Sequence, residues 1–264
     1  MLITVFSLCA LLGALAGVLA GLLGIGGGLV IVPALVYLLP QLGVEPNLVM
    51  PMALATSLGA IVVTSSSAMF AHHKNANIPW HIAKPLILFV ALGSFSGAFI
   101  AELLSTEALT NFFAGAVIVL ATYMLSAMRS ERTRAMPSIY FLQIVAFVAG
   151  VIASLMGMAG GAILVPVLTY FGITLRHSMG IATVCGIAVA LAGALGYIYT
   201  GYGNILLPQW SLGYIYLPAL LGIVVTSSIC APIGVKLATK LPVKTLKKVF
   251  ALFLICVAIE MIYN

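Results

Sequence analysis

Residues 17–37 read GVLAGLLGIGGGLVIVPALVY, and residues 150–170 read GVIASLMGMAGGAILVPVLTY. Laid over each other without a gap, the two stretches agree at 11 of 21 positions, among them Gly24 with Gly157, Gly27 and Gly28 with Gly160 and Gly161, and Pro33 with Pro166. The agreement continues downstream in the same order: Ala55-Thr56 with Ala182-Thr183, Asn77-Ile78 with Asn204-Ile205, Gly97 with Gly234 and Leu109 with Leu246. Shared composition could produce one such stretch, but several in series mark an internal duplication. The chain is read as two repeats, residues 1–130 and 131–264, within one integral membrane domain.

The membrane follows from composition. Hydrophobic residues make up 63% of the 264 and charged residues 6%, whereas an ordinary soluble domain is about 25% charged. There is no aspartate, and the glutamates are Glu45, Glu102, Glu107, Glu131 and Glu260. No charged shell can be assembled around a soluble core from so few charges. Apolar runs long enough to span a bilayer recur throughout, which selects helices over the weak alternating segments of a barrel. The fold class is all-α, a polytopic helical membrane protein.

Each repeat yields the same parts. The first has apolar segments at 2–23, 28–39, 50–71, 84–104 and 108–128, and the second at 139–157, 160–171, 178–200, 212–235 and 245–263. The second segment of each is short of the ~20 residues a spanning helix needs. It reads as a half-helix or one arm of a hairpin, followed by three long helices. The N-terminus lacks a basic leader region and runs straight into the repeated motif, so it reads as a membrane segment and not a cleaved signal. No connection is expected to exceed about a dozen residues.

Loop charge relates the halves. The 72–84 region carries Lys74, Lys84, His72, His73 and His81, and 129–134 carries Arg129, Arg132 and Arg134, while the turn between them holds Glu102 and Glu107. Positive loops lie in the cytoplasm. In the second half the signs exchange. The loop matching the acidic turn carries Lys236, Lys240, Lys244, Lys247 and Lys248, and the one matching the basic loop, at 200–214, is uncharged and aromatic. Equivalent loops therefore fall on opposite sides, the pattern of inverted repeats in secondary transporters.

The glycine series Gly24-Ile25-Gly26-Gly27-Gly28 and Gly157-Met158-Ala159-Gly160-Gly161 interrupt apolar stretches at matched positions. Each glycine weakens a helix by about 1 kcal/mol and opens φ > 0. Helices restarting at Leu29 and Ala162 would present free amides carrying about half a positive charge. Two such ends meeting would hold an anion without a buried lysine or arginine, and no basic residue lies mid-segment. Gly26, Gly27, Gly28, Gly160 and Gly161 are the candidate substrate-binding residues. Glycine equally permits close helix packing, which accounts for the four-residue stripes Gly13, Gly17, Gly21 and Ala146, Gly150, Ser154, and for Gly93, Gly97, Ala101.

Thr56, Ser57 and Thr183 are matched hydroxyls that either reach an oxyanion or bond back to their own helix. Cys185, near Thr183, is the remaining candidate. Ser65, Ser66 and Ser67 read as packing residues. Cys9, Cys185, Cys230 and Cys256 stand singly in apolar segments, without metal spacing. Nothing in the sequence requires a cofactor, a catalytic group or a nucleic-acid partner. With no aspartate and no paired ligand spacing, an intramembrane hydrolase lacks its machinery.

The doubled GxxGxGGGxxxxP-like pattern, here Gly21–Pro33 and Ser154–Pro166, resembles the sulfite exporter TauE/SafE family over nearly the whole chain. Ala159 and Ser154 depart from the glycines of the first copy, which makes the two half-sites unequal. The resemblance implies transport of sulfite, a sulfonate or a related sulfur oxyanion through the inner (plasma) membrane. A proton or sodium ion is the candidate coupling partner. Transport of another small organic anion, a channel and a non-transporting scaffold are the alternatives.

Inversion has a direct test. Single cysteines at Lys74 and Lys240 are expected to react with a membrane-impermeant thiol reagent from the cytoplasm, and those at Thr106 and Tyr202 from outside. Labelling of Thr106 and Lys240 from one side would remove the inversion.

Overall fold

A computed structural model describes residues 2–23, 26–126 and 137–238. They form α1 (Leu2–Leu23), α2 (Gly28–Gln41), α3 (Pro46–Lys74), α4 (Trp80–Glu102), α5 (Thr106–Ser126), α6 (Ile139–Leu155), α7 (Gly161–Tyr170), α8 (Leu175–Thr200) and α9 (Leu217–Ala238). The expected last segment at 245–263, the 129–134 loop, Gly24 and the lysines from Lys240 onward lie outside the described residues. α3, α4, α8 and α9 are long and apolar enough to cross a membrane. With the shorter apolar helices, this is the expected polytopic helical fold.

The segment read as helical from 212 differs. A small hairpin stands there, β1 (Ser211–Leu212) paired antiparallel with β2 (Ile215–Tyr216), and α9 begins only at Leu217. The connection at 201–216 is thus longer than expected. It turns through Gly213, at φ +53°, and Trp210, at φ +68°. Its tyrosines made it read as the start of a membrane segment. Tyr214 and Tyr216 are buried because the hairpin folds back onto the helices, while Tyr202 stays exposed.

α2 has 14 residues and α7 has 10, about 21 Å and 15 Å at 1.5 Å per residue, so each falls short of a crossing. Local chemistry sets their ends. α6 stops in a Schellman turn: Gly157 takes φ +57°, and the Met158 amide reaches back to the Ala153 carbonyl at 3.0 Å. α7 closes the same way, with Gly172 at φ +84° and the Ile173 amide on the Leu168 carbonyl at 3.1 Å.

The helices interlace the sequence repeats. α1 packs most extensively on α9, and α6 on α4, so the first helix of each repeat lies along the fourth helix of the other. α9 also packs on α3, and α4 on α8. Two groups result: α1, α2, α3 and α9, and α4, α6, α7 and α8. The α3–α8 contact is the main junction between them. These two helices are the most enclosed of the four long ones.

Bare glycine surfaces make the interlocked pairs possible. A side chain on Gly17 would place its Cβ 2.6 Å from the Ser227 carbonyl oxygen, and one on Gly150 would meet the Val90 carbonyl. Gly17 and Gly150 are matched positions, and Val90 and Ser227 each stand seven residues before the matched Gly97 and Gly234. The two crossings are therefore the same contact made twice. Gly93 closes on the Phe147 carbonyl and Gly97 on Val151 in the α4–α6 pair, as Gly13 does on Ile223 in the α1–α9 pair. Lipid offers helices no hydrophobic reason to associate, so such backbone proximity carries the packing.

Gly17→Leu forces α1 off α9. The expected outcome is loss of folded yield and a lower melting temperature in detergent. Wild-type melting of Gly17→Leu would show that α1 and α9 do not meet there.

Candidate functional site

The two glycine breaks meet at the centre, between the two helix groups. A Cβ on Gly28 would collide with the Gly157 carbonyl oxygen, and one on Gly26 would lie 2.7 Å from the Ala159 Cβ. Gly26 and Gly27 adopt φ +74° and +81°, the left-handed region that favours glycine. Gly27 caps α2, which starts at Gly28, and Gly160 caps α7, which starts at Gly161, each one residue earlier than expected. Gly26, Gly27, Gly28, Gly160 and Gly161 are all buried.

The ends differ. At the first break Gly27 faces α1, with the Ala16 carbonyl 3.1 Å from an added Cβ, and the Gly157 carbonyl fills the space at Gly28. At the second break the nearest atom to a Cβ on Gly160 is Val189 Cγ2 at 3.4 Å, an ordinary contact. The Ile163 and Leu164 amides bond to the Gly160 carbonyl at 3.2 and 2.9 Å. The Gly161 and Ala162 amides, like those of Gly28 and Leu29, have no acceptor among the described residues, so both ends keep the donors of a helix start, and the α7 cap has the more open surroundings.

One face of α3 lines this meeting point. Ser57 donates to the Gly157 carbonyl at 2.6 Å, tying α3 to the second break. Thr64 reaches the Gly26 carbonyl of the first break at 3.4 Å, and Ile61 packs against Gly26, its Cγ2 3.3 Å from an added Cβ. Thr64 escaped the sequence reading because nothing in a helical threonine announces a partner 38 residues away.

The other candidates are placed differently. Thr56 accepts a 3.0 Å bond from the Tyr216 amide of the hairpin. Thr183 donates to the Met179 carbonyl of its own helix at 2.8 Å, the second of the two roles open to it. Cys185 is fully buried, next to Gly186 on α8. The structure thus joins the glycines and Ser57 directly, and gives Thr56 and Thr183 protein partners.

The hairpin is anchored at a second point. Tyr214 donates to a Glu102 carboxylate oxygen at 3.2 Å and stacks edge-on against Tyr197 at 6.5 Å. Burial, and then the Glu102 charge, push the Tyr214 phenol up to about 12, so it stays a donor at neutral pH. Close approach needs glycine: an added Cβ on Gly213 would lie 2.5 Å from the Ile198 carbonyl oxygen, and on Gly201, 2.6 Å from the Tyr214 amide.

Long apolar helices interrupted by paired glycine breaks define a multi-pass membrane protein with a broken-helix centre. The family model for the sulfite exporter TauE/SafE matches residues 9–261. A probable membrane transporter protein of Haemophilus influenzae is 44% identical over 98% of both chains. Similarly named proteins of Methanocaldococcus jannaschii and Bacillus subtilis are 23% identical over 91% of this chain and 89% of theirs, and 25% identical over 98% of both. No solved structure matches. The chain belongs to the sulfite exporter TauE/SafE family.

Thr56→Val leaves the buried Tyr216 amide without its acceptor, a loss of about 1–3 kcal/mol. Thermal unfolding in detergent is expected to show a lower melting temperature for Thr56→Val and near wild-type behaviour for Thr56→Ser. Equal melting of all three would detach the hairpin from Thr56.

Proposed function

We propose that this protein is a secondary transporter that carries a small anion, a sulfite, a sulfonate or a related sulfur oxyanion, across the inner membrane by alternating access. The observation that carries the reading is the junction of the two breaks. Unclaimed amides at the start of α7 lie between two helix groups, in a chain with no basic residue mid-span. A helix start supplies both donors and positive potential to an anion. Family membership and the names of the relatives favour transport over a channel or scaffold.

The packing also favours particular moving bodies. α1 and α9 travel together, as do α4 and α6, because each pair is locked through backbone contacts. Rocking then occurs between the two groups, across the α3–α8 contact and across the Ser57–Gly157 bond and the Gly28–Gly157 contact, which join α3 and α2 to the α6–α7 turn. In this reading residues 1–130 and 131–264 remain the inverted repeats of sequence, while each moving body takes helices from both.

Flux of labelled sulfite, thiosulfate and sulfoacetate into liposomes tests the function. The glycines have separate tests. Gly160→Ala adds one methyl at a position with φ −57° and room for it, so melting without anion should stay near wild type while flux falls. Because a ligand bound only to the folded state stabilises by RT ln(1 + [L]/Kd), its shift in melting should shrink in parallel. Gly27→Ala, at φ +81°, is expected to lose stability outright. Normal flux through Gly160→Ala would move the site away from α7.

A further inference from the structure

A serine inside a helix ordinarily returns its hydroxyl to a carbonyl one turn back. Ser66 does so, to Val62 at 2.6 Å, as do Ser96, Thr110 and Thr169. Ser65 does not. It is 4% exposed. Its Oγ makes no hydrogen bond among the described residues, yet it is not one of the fully enclosed unpaired hydroxyls, which are those of Ser154, Thr200 and Ser211. The acceptor it would use, the Ile61 carbonyl, already receives Thr64 Oγ1 at 3.3 Å. An unpaired hydroxyl that keeps access to its surroundings is free to meet a partner that comes and goes.

Its surroundings say which partner. Across from Ser65, α8 presents Gly186, where an added Cβ would lie 3.6 Å from Ser65 Oγ and 3.0 Å from the Ala159 Cβ. Ala159 immediately precedes Gly160, the cap of α7. The free hydroxyl of α3 and the free amides of α7 therefore flank the same bare stretch of α8. Both are neutral donors, and a ligand that carries only acceptors satisfies both.

Building on the proposed anion site, we infer that Ser65 Oγ donates to the bound sulfur oxyanion alongside the α7 amides, and that Gly186 keeps the space between them open. The site is one-sided. Ser65 stands nine residues after Thr56, and nine residues after the matched Thr183 stands Ala192, which has no hydroxyl. At the first break the Gly157 carbonyl already occupies the space at Gly28. The anion thus sits against the second break.

Ligand-dependent melting and binding of sulfite, thiosulfate and sulfoacetate to the full chain in detergent test this. Ser65→Ala is expected to bind the anion that wild type binds best about tenfold more weakly, as for a lost hydrogen bond to a charged group. Its melting without anion should not fall, since no protein contact is lost. Ser66→Ala, which loses only a bond to its own helix, should bind as wild type. Gly186→Ala should weaken binding in the same direction as Ser65→Ala. Wild-type affinity in Ser65→Ala with lost affinity in Gly160→Ala overturns the Ser65 role and leaves the α7 site standing. Wild-type affinity in both overturns the site itself, and failure of wild type to bind any of the three anions overturns both. A lower melting temperature of Ser65→Ala without anion would reveal a structural partner and also defeat the inference.

Discussion

Where Gly28 approaches the Gly157 carbonyl, the chain brings two interrupted backbones together with nothing between them. Inside a bilayer, an interrupted helix is tolerable only where protein or a watery cavity satisfies its polar groups. Most of those groups are answered locally. Gly157 lets the Met158 amide turn back into α6, Gly27 and Gly160 offer carbonyls to the third and fourth amides of α2 and α7, and Ser57 donates to the Gly157 carbonyl. The first two amides of α2 and of α7 have no acceptor among the described residues. The surrounding helices hold that arrangement in place.

The duplication supplies the scaffold, and small departures from it supply the chemistry. Gly17 on Ser227 and Gly150 on Val90 repeat one crossing faithfully, since each needs only a missing side chain. The α3 face breaks the equivalence: Thr64 and Ser65 stand where the other copy has Leu191 and Ala192. The loops diverge as well. Asn77 rests its carbonyl against Gly180 on α8 with no hairpin, whereas the 201–216 connection adds one and bonds it to Thr56 and Glu102. The connections after α3 and after α8 are thus held by different means.

Much of this was legible in the residues because it rests on backbone geometry. Left-handed glycines, short apolar segments and small-residue stripes all have sequence signatures, and the helix starts at Gly28 and Gly161 fell within one residue of expectation. The hairpin at 211–216 had none, because Tyr214, Ile215 and Tyr216 are as apolar as the first turn of a helix. Hydroxyl roles were also illegible. Whether Thr56 meets an amide 160 residues away, Thr183 its own turn, or Ser65 no partner depends on which neighbours pack alongside. Three residues of similar chemistry on similar helices have three different fates.

The interlocking of α1 with α9 bears on how the molecule is made. α1 spans residues 2–23 and its glycine face is matched by Ser227 and Ile223, close to the far end of the chain. During synthesis that face has no partner until α9, which follows all the other described helices, has been inserted. The α4–α6 clasp is available much sooner, since only α5 and its flanking loops separate its two members. Assembly therefore has a built-in order, with one half of the molecule closing while the other waits, its first helix held in lipid by hydrophobicity alone.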